Sequence, residues 1–214
     1  SSSICALISE YNKIENLDFE FIGYLNGYRG LLTNNKINIK KDFNSEALYS
    51  FGGSFLGNSR VKLTNIKDCE GKGYIEKGQN PLEVAANQLK NDNIDILHTI
   101  GGDDTNTTAG DLVDFLFKNN YKLKVIGMPK TIDNDVYPIN QTLGAVTAAK
   151  QTKLFFENIV NENTTSTRQL IIHEVMGRNC GWLTAYSAFL YQESLKNKIF
   201  VPEILVEKVS NGLR

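Results

Sequence analysis

The sequence predicts an α/β protein with a mainly parallel sheet and helices on both of its faces. Two observations carry this. Short apolar segments alternate with amphipathic ones along the 214 residues, and short loops, several of them rich in glycine, join them. Strand and helix in alternation build βαβ units and hence a parallel sheet. In such sheets ligands sit in crevices beyond the carboxyl ends of the strands, so the loops after strands are the first place to look for chemistry.

Each element has its own signal. Ile4, Leu7, Ile8 and Tyr11 keep helical spacing, so a helix is expected to begin before or at residue 1. Phe19 to Tyr24 reads as a strand. Pro81 to Lys90 reads as a helix, with Asn80 at the N-cap and Pro81 at the first helical position. Ile94 to Ile100 is a strand that runs into Gly101-Gly102, and Ala109, Leu112, Val113 and Leu116 share one face of a helix over 106–118. Lys124 to Met128 is a strand, 141–161 a long helix, Leu170 to Val175 a strand, 181–192 a helix and Ile199 to Val206 a strand. Residues 33–44 and 65–79 are polar and read as loops, and the polar stretch Asn161 to Thr167 is a candidate domain boundary. No internal repeat is present.

Composition narrows the function. Twenty-three basic against 24 acidic side chains leave a net charge of -1, so no bulk field draws the protein to nucleic acid or an anionic membrane. No apolar run reaches the ~20 residues of a membrane-spanning helix, and no secretory leader pattern opens the chain. The expected compartment is the cytoplasm. Cys5, Cys69 and Cys180 are too few and too widely spaced for a disulfide framework or a zinc site.

Four loops could carry chemistry. In IGGDDTNTTA, residues 100–109, two glycines let the backbone approach a ligand, and the helix that follows offers free N–H groups to phosphate. Two carboxylates there suit a cation, and Asp103 is the candidate anchor for Mg²⁺, which takes one or two carboxylates plus substrate phosphates. The alternative is a tight strand-to-helix turn capped by Asp103, Asp104 or Thr105. In GMPKTIDNDV, residues 127–136, an extended backbone would point Asp133 and Asp135 the same way, and neighbouring carboxylates raise the proton affinity of one of them, as a general base requires. Lys130 adds a compact cation for phosphate; a plain Asn/Asp turn is the alternative. In EVMGRNCGW, residues 174–182, Arg178 can grip a phosphate or sugar hydroxyls while Gly177 lets the backbone come close, or it is a solvated arginine. FGGSFLGNSR, residues 51–60, ends in Arg60 and by itself is a weak signal.

A metal–phosphate cradle, a carboxylate base and balancing cations together describe phosphoryl transfer. In order and spacing IGGDDT, PKTIDND, MGRNCGW, GYRGL (Gly27 to Leu31) and GGSFLGNSR resemble the phosphofructokinase family over essentially the whole chain. The resemblance implies two similar Rossmann-like domains. Residues 1–152 would be the first, with the donor and magnesium site, and 153–214 the start of the second, incomplete here, which contributes to the sugar-phosphate site. It further implies Asp133 as the base for the 1-hydroxyl of fructose 6-phosphate and Asp103 as the magnesium acid. Thr131, Ile132, Asp133, Asp135, Met176, Gly177 and Arg178 would meet the sugar phosphate. Gly101, Gly102, Asp103, Asp104, Thr105, Lys130 and Arg60 would meet the donor. Arg168 lies near the position of an arginine that reaches a neighbouring subunit, implying a homodimer or homotetramer, and Glu203 is left without a role.

Asp104 and Lys130 decide the donor. ATP-type members have glycine at both positions, and a carboxylate at 104 would oppose the α-phosphate of a nucleotide. Two unit charges ~4 Å apart at an effective dielectric of ~20 repel by about 4 kcal/mol, roughly a thousandfold. With Lys130 as a cation for a small dianion, the expected donor is pyrophosphate: Asp104 and Lys130 resemble the pyrophosphate-dependent branch of the family, and with Asp133 they are the expected catalytic residues. The alternatives are an ATP-dependent enzyme and a non-catalytic regulatory subunit. His98 and His173 are expected as hydrogen-bonded core histidines, and Trp182 as packing.

Overall fold

The computed structural model describes residues 1–40, 48–49, 51–163, 165 and 170–196. The elements run α1 (Ser2–Tyr11), β1 (Phe21–Tyr24), α2 (Tyr28–Leu32), β2 (Lys36–Ile39), α3 (Ile66–Gly71), α4 (Pro81–Asn91), β3 (Ile96–Gly101), α5 (Asp103–Lys118), β4 (Lys124–Pro129), α6 (Ala145–Asn163) and α7 (Trp182–Lys196). The chain divides into two compact units, Ser1–Thr99 with Thr107–Ile126, and Ile100–Asn106 with Gly127–Arg214.

In the first unit Leu31, Leu63, Cys69, Ala85, Leu89, Leu112 and Leu116 form the centre of one apolar core. The helical face predicted from Ala109, Leu112 and Leu116 is buried, although Val113, beside it in sequence, is 39% exposed. Asn80 caps α4 as expected, its side chain accepting from the Leu82 N–H at 3.0 Å. Gly30 has no room for a side chain, since a Cβ there would lie 2.1 Å from the Leu25 carbonyl oxygen. The GYRGL motif is therefore a packing motif at Gly30, with Tyr28 and Leu31 in the core and Arg29 over the Tyr74 ring at 5.5 Å.

β3 and β4 pair in parallel. The Lys124 N–H donates to the Asp95 carbonyl and the Lys130 N–H to the Gly101 carbonyl, and both bonds join residues the same distance apart in sequence, as a parallel ladder requires. Two segments expected as loops are ordered elements. Lys36–Ile39 pairs antiparallel with β1, Phe21 opposite Ile39 and Tyr24 opposite Lys36, and Ile66–Gly71 is a short helix whose Asn65 cap accepts from the Asp68 N–H. β2 is held from the side as well. Asp92, at the end of α4, takes the Lys36 ammonium, the Tyr24 hydroxyl and the Gln88 amide. Burial alone would raise the Asp92 pKa, but these donors outweigh it and hold the carboxyl below its ordinary value.

The strand expected over Leu170 to Val175 is not one. The segment has alternating exposure, but no ladder is formed there among the described residues, and Leu170 and Ile172 stand 86% and 85% exposed. A strand needs a partner for its backbone groups as well as a pattern. The second unit packs α6 and α7 together, with Phe156 edge-on to Tyr191 at 5.0 Å and Trp182 stacked on Tyr186 at 4.9 Å. Trp182 is a packing residue, as expected. The strand expected over Ile199 to Val206, with Arg168 and Glu203, lies outside the described residues.

His98 in β3 bonds through Nε2 to the Tyr11 hydroxyl at 2.9 Å, and burial lowers its pKa from 6.5. The folded state therefore disfavours the imidazolium, while the unfolded chain takes up its proton near the ordinary value. This contribution to stability is complete above about pH 6.5 and is lost as the pH falls below it. Urea midpoints of the chain between about pH 7 and about pH 5 should fall, and fall less steeply in His98→Gln. An identical slope in the two proteins would refute the assignment.

Candidate active site

The second and third of the stronger loops and residues Ile100–Asn106 of the first belong to the second unit. The first begins where β3 ends in Gly101. Gly102 accepts from the N–H groups of Thr105 and Asn106, so Asp103 and Asp104 fall in the first turn of α5, two residues into what the sequence suggested was loop. Both are exposed. Carboxylates at a helix N-terminus interact favourably with its free N–H groups. The Asn106 carboxamide turns back and donates to the carbonyls of Gly101 and Gly102 at 2.9 and 3.0 Å, tying the helix start to the strand end. Thr105 is half-buried, its side chain the nearest neighbour of Gly101.

The second loop is attached to the first. The Lys130 N–H donates to the Gly101 carbonyl at 2.7 Å, which leaves the exposed Lys130 side chain uncommitted to that bond. Beyond it the backbone bends rather than extends. Asn134 has a left-handed φ of 55°, so the alternation expected to align Asp133 with Asp135 is broken between them. Asp133 is half-buried and Asp135 exposed. The Thr131 Oγ1 accepts from the Asp133 N–H at 3.1 Å, a side-chain turn of the kind threonine forms. Ile132 and Thr131 are half-buried.

The third loop meets the second at Asp133. The Cys180 thiol donates to the Asp133 carbonyl at 3.1 Å, and the Cys180 N–H closes a turn onto the Gly177 carbonyl at 2.8 Å. Gly177 has a φ of 152°, and a Cβ there would lie 2.3 Å from the Cys180 carbonyl oxygen. Only glycine fits. Met176 is 74% exposed, and Arg178 is exposed with a left-handed φ of 51°. Arg60 is an exposed residue of the first unit.

The loops thus meet through backbone carbonyls: Gly101 receives Lys130, and Asp133 receives Cys180. Asn106, Asn134, Cys180 and Thr142, whose hydroxyl donates to the Thr131 carbonyl at 2.7 Å and whose N–H donates to the Asn134 Oδ1 at 2.8 Å, organise them, and sequence reading did not select these four as site residues. The available signal was chemical: an asparagine between two acids is the residue most tolerant of left-handed backbone after glycine.

Comparison with known proteins gives the family. The phosphofructokinase family model matches residues 3–211, and the chain belongs to the phosphofructokinase family. It is 52% identical over 212 residues to the pyrophosphate--fructose 6-phosphate 1-phosphotransferase of Methylotuvimicrobium alcaliphilum, covering 98% of this chain and 52% of that one. It is 34% identical over 199 residues to an ATP-dependent 6-phosphofructokinase of Clostridium perfringens, covering 89% of this chain and 51% of that one. Its fold superposes on the solved pyrophosphate-dependent phosphofructokinase of Marinobacter aquaeolei with a TM-score of 0.66 at 25% identity, covering 88% of this chain and 45% of that chain. The chain is therefore α/β, as its alternating pattern predicted, and spans about half the length of the relatives it matches.

Proposed function

We propose that the protein carrying this chain moves a phosphoryl group reversibly between pyrophosphate and the 1-hydroxyl of fructose 6-phosphate. The observation that carries this reading is the junction of the two strand-end loops through the Lys130 N–H and the Gly101 carbonyl. It joins the segment suited to phosphate and metal to the segment bearing Asp133. In the forward direction the Asp133 carboxylate takes the hydroxyl proton, the hydroxyl oxygen bonds to phosphorus, and the bridging P–O bond breaks to release phosphate. Fructose 1,6-bisphosphate is the other product.

Each remaining residue has a part. Lys130 pairs with the donor dianion, and Asp104 opposes a nucleotide in its place. Gly101, Gly102 and Thr105 line the donor's approach. Thr131, Ile132, Asp135, Met176, Gly177 and Arg178 receive the sugar phosphate. Asp103 is the residue for Mg²⁺, which would supply charge neutralisation on the phosphate oxygens. The donor set fits such an ion. Among the described residues no three carboxylate, imidazole or thiol groups form a cage, and a single exposed carboxylate suits an ion that keeps water and substrate phosphate as its other ligands.

The working assembly is a homodimer or homotetramer, and the working compartment the cytoplasm. Among the described residues no helix is long and apolar enough to cross a membrane.

The reverse reaction tests the reading. With fructose 1,6-bisphosphate and inorganic phosphate, the protein should form fructose 6-phosphate and pyrophosphate in the presence of Mg²⁺; reverse turnover with ADP but not with phosphate would overturn it.

Gly177 gives a second test. A side chain there would displace the Met176–Arg178 backbone by steric contact with Cys180, at about 1–3 kcal/mol of strain. Gly177→Ala should raise the KM for fructose 6-phosphate while leaving that for pyrophosphate near the parent value. Equal effects on both substrates would contradict the division of roles.

A further inference from the structure

Thr142 is 1% exposed and lies between exposed neighbours, Gln141 and Leu143. A buried hydroxyl is costly unless it is hydrogen-bonded, and this one has two acceptors in reach. It donates to the Thr131 carbonyl at 2.7 Å, and the Asn134 Oδ1 lies at 3.1 Å. That oxygen is served by the Thr142 backbone N–H at 2.8 Å. The Asn134 amide donates to the Asn140 carbonyl at 3.3 Å, and the Leu143 N–H donates to the Pro129 carbonyl at 2.9 Å. One buried residue therefore holds Thr131 and Asn134, the two residues that flank Ile132-Asp133. Asn134 is in the left-handed conformation, which asparagine accepts at lower cost than most residues because its short side chain can bond locally. Here it does so.

We infer that Thr142 and Asn134 are a positioning pair that fixes the Ile132-Asp133 segment, so that the Asp133 carboxylate is aimed before substrate arrives. This rests on the assignment of Asp133 as the base. Neither residue is needed to touch substrate. The pair holds the backbone on both sides of Asp133, while Thr131 Oγ1 and Cys180 Sγ hold its own N–H and carbonyl.

The test uses the protein carrying this chain, with Thr142→Val, Thr142→Ser, Asn134→Gly and Asp133→Ser assayed side by side for kcat and for both KM values. Thr142→Val removes the hydroxyl at nearly constant shape, and Asn134→Gly keeps the left-handed backbone while removing the carboxamide. Misplacement of a reacting group by ~1 Å costs on the order of a hundredfold, so Thr142→Val and Asn134→Gly should each lower kcat roughly ten- to a hundredfold with little change in either KM. Thr142→Ser, which retains the hydroxyl, should recover most of that loss. The inference is overturned if folded Thr142→Val or Asn134→Gly keeps the parent kcat, if the loss falls on KM alone, or if Thr142→Ser is no better than Thr142→Val. Should Thr142→Val fail to fold, Asn134→Gly decides alone. If Asp133→Ser itself keeps a near-normal kcat, the base assignment fails and takes this inference with it; a collapse in Asp133→Ser alone leaves the base standing and removes only the positioning pair.

Discussion

Asp133→Ser should lower kcat by roughly 10²- to 10⁴-fold, the range a positioned general base contributes, with the KM values for both substrates little changed. The split follows from how Asp133 is held. Its N–H is bonded to Thr131 Oγ1 and its carbonyl to the Cys180 thiol, and neither bond involves the carboxylate. Removing the carboxylate therefore removes the proposed proton acceptor without releasing the loop, and thermal unfolding should be close to the parent's. Steady-state kinetics at saturating pyrophosphate and fructose 6-phosphate decide it: a near-normal kcat would take Asp133 out of the base role.

Asp104→Gly combined with Lys130→Gly should weaken pyrophosphate use and admit ATP. Loss of a charged hydrogen-bonding partner costs about 1.5–3 kcal/mol, so kcat/KM for pyrophosphate should fall roughly ten- to a hundredfold. The gain for ATP depends on how well water screens position 104. Asp104 is exposed in the first turn of α5, so the repulsion of an α-phosphate ~4 Å away lies between about 1 kcal/mol in water and about 4 kcal/mol at an effective dielectric of ~20. The lower end is only about a fivefold change in rate. Because the Lys130 backbone N–H, not its side chain, holds Gly101, the double variant should keep the loop junction. Unchanged pyrophosphate kinetics in a folded double variant would remove both residues from donor selection.

The α/β class, β4 and α4–α7 were legible because their signals are local. Asn80 and Pro81 announce α4, and β3 runs into paired glycines before α5. The antiparallel strand Lys36–Ile39 was missed because its polar, asparagine- and lysine-rich setting hides the alternation of Ile37 and Ile39, and because half of its justification is distant, in Asp92. The short helix after Asn65 was masked by the same composition. At Leu170–Val175 the apolar run was real but no partner strand is present among the described residues, so a short apolar segment by itself did not make a strand. The candidate site was legible as loops but not as a constellation. Glycine after a strand marks where chemistry can sit; what ties the loops together is a set of bonds between residues distant in sequence, Thr142 to Thr131 and Cys180 to Asp133. Periodicity cannot see those. Nor could it see that Asn134 would turn left-handed and separate the two acids it was expected to align.

The most direct measurement of the central claim is the initial rate of fructose 1,6-bisphosphate formation from fructose 6-phosphate and Mg²⁺, with pyrophosphate and ATP compared as donors at equal concentration on the purified protein. Pyrophosphate should support turnover and release one phosphate for each bisphosphate formed, and ATP should support far less. Faster turnover with ATP, or none with either donor, would contradict the account.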